Sequence, residues 1–275
     1  MIAPVLNFVM PSLRSWSRLP MLEKHLSVEE ASRFAPAVWW DYERAADGQN
    51  RYPLLDNGTE GDCVIAWELH YIESGWRRLV SVGGNSAANS NVPDVIATAG
   101  QANAAYWEEV DRQSGGSQPQ VPPGPGLDPV QAVIDWKNYG LQCATERNFA
   151  AGAVSLTSQE PALVRSIAYT CAGLGLVLEL PDNYAALAAD PQQIWTPSGP
   201  PDPSLGHMAF LSGFAGNRVG IKSWGQAYTA TWSWVFTYCV GMIAVLTSDW
   251  VERLPAETVS KLEAEVLSLG GSKVF

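Results

Sequence analysis

Histidine is scarce in this chain, with three residues in 275, at positions 25, 70 and 207. Cysteine is scarce as well, and Cys63, Cys143, Cys171 and Cys239 form no Cys-x-x-Cys pair. Both shortages argue against a structural zinc site, so no metal is expected, and no motif asks for a cofactor. Positive charge is thin, with 17 Lys and Arg against 28 Asp and Glu. The net charge of −11 argues against nucleic acid and anionic membrane as partners, since both are gripped by clustered basic side chains. Long apolar runs are missing too. Met1 to Met10 is apolar, but it lacks a basic lead and is interrupted by Pro4 and Pro11. Neither a signal peptide nor a bilayer span is expected there.

What the chain does have is material for a core. Hydrophobic residues make up 47% and charged residues 16%, the balance of an ordered globular protein. The length suits one large or two small domains. Twelve tryptophans predict aromatic anchors. Dense apolar residues from Cys63 to Ile72 predict a mostly buried helix, followed by a Gly/Ser/Asn-rich loop over 83–91. A second helix is expected around Val95 to Val110, with a Gly/Pro-rich loop over 112–126 after it. Asp128-Pro129 reads as an N-cap with an N1 proline, opening a helix that Gly140 ends. Another helix is expected from Pro161, leading into a strand over Gly175 to Leu180. From there to Leu246 the β-branched and aromatic composition predicts strands. Ser27 to Glu30 reads as a capping box, and Pro255 to Leu269 as an amphipathic helix. Helices first and strands after make an α+β order.

Three distant stretches carry candidate chemistry. Gly61-Asp62-Cys63 opens the first helix, where the helix dipole and unpaired N–H groups favour a thiolate. Gly206-His207-Met208-Ala209-Phe210-Leu211 places a histidine on a strand, the usual position of a base for such a thiol. Ile221-Lys222-Ser223-Trp224-Gly225 follows on the next strand. In this order the stretches resemble the papain-like cysteine peptidases. That family has a nucleophilic cysteine at a helix start, a histidine in an apolar strand and an Asn-Ser-Trp-Gly turn. Val130 to Leu141 is similar to the family's helix closing on Tyr-Gly-Ile. Ala162 to Leu180 is similar to its crossover from helix to strand.

The resemblance covers roughly Asn57 to Val240. It implies an α+β, papain-like fold: a helical half and a β-barrel half with a cleft between them, plus extra N- and C-terminal segments. The boundaries it implies are 1–56 for an N-terminal wrapping segment and 57–170 for the helical half with Cys63. The β-barrel half with His207 would span 171–247, and a C-terminal helical tail 248–275. Glu60 stands where secreted members carry a disulfide cysteine. Free thiols in a reducing compartment are therefore implied.

By the same resemblance the catalytic residues are Cys63, His207 and Asn57. Cys63 is the nucleophile, or else a small buried hydrophobe. His207 is the base. His25 reads as a surface residue, and His70 lies two helical turns from Cys63, too far to take its proton. Asn57, six residues before Cys63, matches the offset of the family's oxyanion glutamine; the competing reading is an Asn-Gly turn. Asp62 raises the thiol pKa if it points inward. Lys222 stands where the orienting asparagine belongs, and an ammonium has no acceptor for an imidazole N–H. Ser223 or a backbone carbonyl then takes that role, or the ring is loosely held. Trp224 shields the pair from water.

Ser223 to Gln226, with Thr231-Trp232, Phe236 and Tyr238, also resembles papain-fold proteins encoded by tailed bacteriophages and prophages. This implies a virion-associated structural or interaction component with a latent Cys–His site. It would be made in a bacterial cytoplasm, and its partners would be other virion proteins or further copies of itself. The alternative is an active thiol hydrolase acting on a peptide or peptidoglycan amide.

Overall fold

The computed structural model describes residues 9–11, 16, 18–19, 21–22, 38–40, 54–55, 61–82, 97–143, 146–150, 152–246 and 256–268. Asn57, His25, the 27–30 capping box and the 83–91 loop lie outside the described residues. The first helix, α1, runs Cys63–Val82. Gly61 turns the chain into it with φ 75°, and the Asp62 carbonyl accepts the first helical bond from Ala66 N–H at 3.0 Å. From 61 to 74 every residue of this stretch is buried, as the dense apolar sequence requires of a core helix.

Helix α2 (Ala99–Ser114) is closed at both ends by local chemistry. Thr98 and Gln101 form a capping box, and Gly115 ends the helix in the left-handed conformation with φ 73°. The helix therefore continues past Val110, into residues whose loop signals begin only at Gly115. Helix α3 (Pro129–Tyr139) follows the sequence closely: Asp128 accepts from Val130 and Gln131 N–H, and Gly140 caps the end. Helices α2 and α3 pack on α1 and on each other.

A short hairpin of β2 (Leu141–Cys143) and β3 (Glu146–Asn148) stands apart from the main sheet. The main sheet holds β1 (Val38–Trp40), β4 (Gly152–Leu156), β5 (Leu174–Glu179), β6 (Ile194–Trp195), β7 (Gly206–Ala215), β8 (Arg218–Ser223), β9 (Gln226–Thr231) and β10 (Cys239–Leu246). Its order is β4-β10-β5-β7-β8-β9-β6, with β1 added to β7. All pairings are antiparallel except β6 with β9. Two short helices, α4 (Pro161–Thr170) and α5 (Tyr184–Ala189), lie in the connections, and α7 (Ala256–Ser268) follows the sheet. Trp39 and Trp40 thus lie on a strand that pairs with a much later segment.

Two stretches of the region expected to be strand are helical, the first being Tyr184–Ala189, which forms α5. Residues Trp232–Tyr238 form helix α6, not strand. Thr231 accepts from Trp234 N–H at 3.2 Å and starts the turn. Trp234 then packs on Trp195 and Tyr238, with centroids 4.9 and 5.2 Å away. Burial of that aromatic cluster outweighs the strand preference of its residues.

Strand alternation divides the interior into two cores. Leu176, Leu178, Ala209, Leu211, Val219 and Ile221 face one side, with Trp195, Tyr228 and Trp234. Val177, Met208, Phe210, Ile243 and Val245 face the other, against Cys63, Trp67, Tyr71 and the residues of α2 and α3. Tyr71 clamps this second core by donating to the Cys171 and Val245 carbonyls. The helical half therefore sits on one face of the sheet, with the start of α1 held against β7.

Candidate active site

Cys63 is the first residue of α1 and is 3% exposed. Its sulfur is met by the backbone N–H groups of Met208, Val64 and Cys63 itself. The Met208 contact matters most for geometry, because Met208 follows His207 directly on β7. The thiol is thus one peptide away from the backbone of the candidate base. Burial pushes the thiol pKa up to about 12, these N–H groups lower it, and the Asp62 charge raises it further. Asp62 is wholly buried, so the inward orientation considered from sequence is the one found.

His207 is the second residue of β7 and is 1% exposed. Its Nε2 lies 2.6 Å from Ser223 Oγ. The indole of Trp224 stacks over the ring, with centroids 4.5 Å apart and planes at 19°. Nδ1 is buried and has no hydrogen-bond partner among the described residues. Burial drives the imidazole pKa down to about 3. Thiol and imidazole are therefore both neutral at rest, each for the same reason.

The β8–β9 hairpin creates this arrangement. Ser223 pairs with Gln226, leaving Trp224-Gly225 as a two-residue loop with φ 47° and 70°. Positive φ at both positions is the geometry that matches strand twist in tight hairpins. It folds Trp224 back over the histidine. Tyr184, Trp195 and Tyr228 surround the indole at 6.1 to 6.5 Å.

Lys222 is adjacent in sequence but lies elsewhere. It pairs with Phe210 across β7–β8, and its Nζ lies 5.8 Å from the Phe210 ring. That is the face packed against the helices, and Lys222 is only 2% exposed. Ser223, on the opposite side of the strand, is the residue that reaches the imidazole. The contribution missed from sequence is the Met208 N–H, a backbone donor that no side-chain pattern announces. All four cysteines are free thiols, and His70 is buried in α1.

No protein-family model matches the sequence, and no curated protein matches it. Solved structures do match in shape. Xylellain, a cysteine protease from Xylella fastidiosa, aligns with TM-score 0.57 at 10% identity, over 89% of this chain and 95% of its own. A procathepsin B from Trypanosoma congolense aligns with TM-score 0.55 at 13% identity, covering 88% of this chain and 87% of its own. A cysteine protease from Carica candamarcensis aligns with TM-score 0.50 at 14% identity, over 77% and 99%. The fold is papain-like, of the α+β class. Identities this low carry the fold and not the activity.

Proposed function

We propose that this chain is a papain-fold thiol hydrolase that cleaves peptide or peptidoglycan amides with Cys63, His207 and Ser223. The observation that carries the reading is the grip on His207. Ser223 and Trp224 fix the ring through Nε2 and its face, which leaves Nδ1 as the basic nitrogen. In the reaction Cys63 Sγ attacks the amide carbonyl carbon while the thiol proton passes to His207 Nδ1. The oxyanion is held by the Cys63 N–H and the Asn57 side chain. The tetrahedral intermediate collapses to a thioester, and His207 returns the proton to the departing amine. Water, deprotonated by His207, then attacks the thioester carbonyl; the C–S bond breaks, the carboxylic product leaves, and Cys63 Sγ takes the proton back from His207. Because both groups are neutral at rest, proton transfer accompanies attack instead of preceding it.

A second reading is favoured by a different observation, the near-complete burial of Cys63 and His207. It makes the chain a virion-associated structural or interaction component that assembles with virion proteins or with itself and keeps a latent site. Two measurements separate the readings. Fluorogenic peptide amides and peptidoglycan fragments are assayed with the parent protein, Cys63→Ala and His207→Ala. The hydrolase reading expects turnover that falls by about a hundred-fold or more in each variant. In parallel, alkylation of Cys63 by iodoacetamide is followed against pH by peptide mass spectrometry. Labelling of the folded protein that is slowed in His207→Ala supports the hydrolase. No turnover, together with labelling only after denaturation, overturns it in favour of the latent site.

A further inference from the structure

Inside the helical half three carboxyl groups from three helices converge. Glu68 on α1, Glu109 on α2 and Asp135 on α3 are 1%, 3% and 5% exposed. Glu68 lies five residues after Cys63. Its Oε1 is fully enclosed and has no hydrogen-bond partner among the described residues. Glu109 accepts from Arg112 Nη1 at 2.7 Å and Gln113 Nε2 at 2.8 Å, and its carboxyl reaches that of Asp135. Asp135 accepts from Gln131 Nε2 at 2.9 Å.

On the sheet side of this core β8 brings the buried Lys222, and Arg18 donates to the Gln131 amide that contacts Asp135. Arg112 is the cation that acts on Glu68, and it is shared with Glu109 and, at the surface, Glu108. Arg147 of β3 engages Glu108 at 3.1 Å. Strand β7 meets α1 with Met208 and Phe210. Strand β2 brings Cys143, whose thiol feels Glu73. No group of three or more side chains suited to a metal ion exists among the described residues. Among the described residues the guanidinium that acts on Glu68 is shared with Glu109, too little to balance both as enclosed carboxylates, so this pair retains protons.

We propose that Glu68 and Glu109, set against Asp135, form a proton-holding node that keeps α1 tightly packed on α2 and α3 in acid and loosens it as pH rises through neutrality. The helix that begins with Cys63 is then held more or less firmly according to pH. Burial, with the charges of Glu109 and Asp135, holds Glu68 well above the usual carboxyl range. Burial first, and then Asp135, raises Glu109 to about 7. The sign follows from linkage. A raised carboxyl pKa gives stability that is present below 4.5 and is lost as pH rises through 7. The proposal concerns helix packing and stands whether or not Cys63 turns over a substrate.

The test is the melting temperature of the full chain between about pH 5.5 and pH 8.5, for the parent and for Glu109→Gln. The parent is expected to lose several degrees across this window. Glu109→Gln should lose part of this slope and should melt above the parent at the alkaline end. Parallel profiles would overturn the proposal. Infrared spectra of the parent in D2O decide the matter even if the variant does not fold. A carbonyl band from un-ionised carboxyl groups should be present in acid and weaken towards pH 8.5, and its absence at both ends refutes the node.

Discussion

At the scale of the residue, the site turns on which neighbour holds the histidine. Aligning motifs puts Lys222 at the asparagine position, yet consecutive strand residues face opposite sides, so only one of Lys222 and Ser223 can meet His207. The register Ser223 with Gln226, which follows from the hairpin loop, gives that place to the serine. A hydroxyl can accept from Nε2–H, which an ammonium cannot. Ser223→Ala should leave Nε2 buried and unpaired, at a cost of about 1–3 kcal/mol in folding stability. Turnover should fall roughly tenfold through kcat with KM unchanged, as expected for losing a group that acts on the base and not on the substrate. Ser223→Thr, which keeps the hydroxyl, should recover most of both. Denaturant melts and steady-state kinetics on the same preparations check the pair. Equal kcat in parent and Ser223→Ala would remove the serine from the mechanism.

At the scale of the element, the site depends on close approach. Helix α1 lies so near the sheet that a Cβ on Gly175 of β5 would meet Met208 Cε and come within 2.5 Å of Trp67 Cε2. Gly175 is therefore the contact that lets the Cys63 helix settle beside β7. Gly175→Ala should destabilise the fold by about 1–3 kcal/mol through overpacking. Urea melts should show a lower midpoint with an unchanged slope, and an unaltered midpoint would mean that the helix has room to move. Caps and alternation made most elements legible in advance: Asp128-Pro129 and Gly140 for α3, Pro161 for α4, and the apolar run for β5. Helix α6 was not legible, because Trp232, Val235, Phe236 and Tyr238 favour strands until the aromatic cluster around Trp195 claims them. The Trp224-Gly225 loop was also hidden. A tryptophan at φ 47° is an unfavourable choice locally, and only the stacked imidazole gives it a reason.

At the scale of the whole molecule, ionisation links the site to stability. The folded imidazole of His207 titrates near 3 because of burial, against an ordinary value of 6.5. A depressed value gives stability that is present above 6.5 and is lost as pH falls towards 3. The His207 share of this acid slope is at most about 1.4 kcal/mol per pH unit. Chemical denaturation at about pH 7, 5.5 and 4.5 should show it, and His207→Gln should flatten that part of the profile. The same slope in the variant would mean that His207 is already hydrated and ionisable in the folded protein. The carboxyl node works in the opposite direction and overlaps this limb between 4.5 and 6.5, so the His207 share is read as the difference between the parent and His207→Gln.

The sequence by itself determined the α+β order, the start of α1 at Cys63, and the placing of His207 and Ser223 on successive strands. These depend on caps, spacing and periodicity, which are local properties. Tertiary structure decided what the local signals could not encode: that Ser223 and not Lys222 meets the imidazole, and that the Met208 N–H meets the thiol. It also decided that Glu68, Glu109 and Asp135, from separate helices, lie near enough to feel one another's charge. Each of these is a contact between segments far apart in the chain. Strand register and helix packing set such distances, and no stretch of sequence carries them alone.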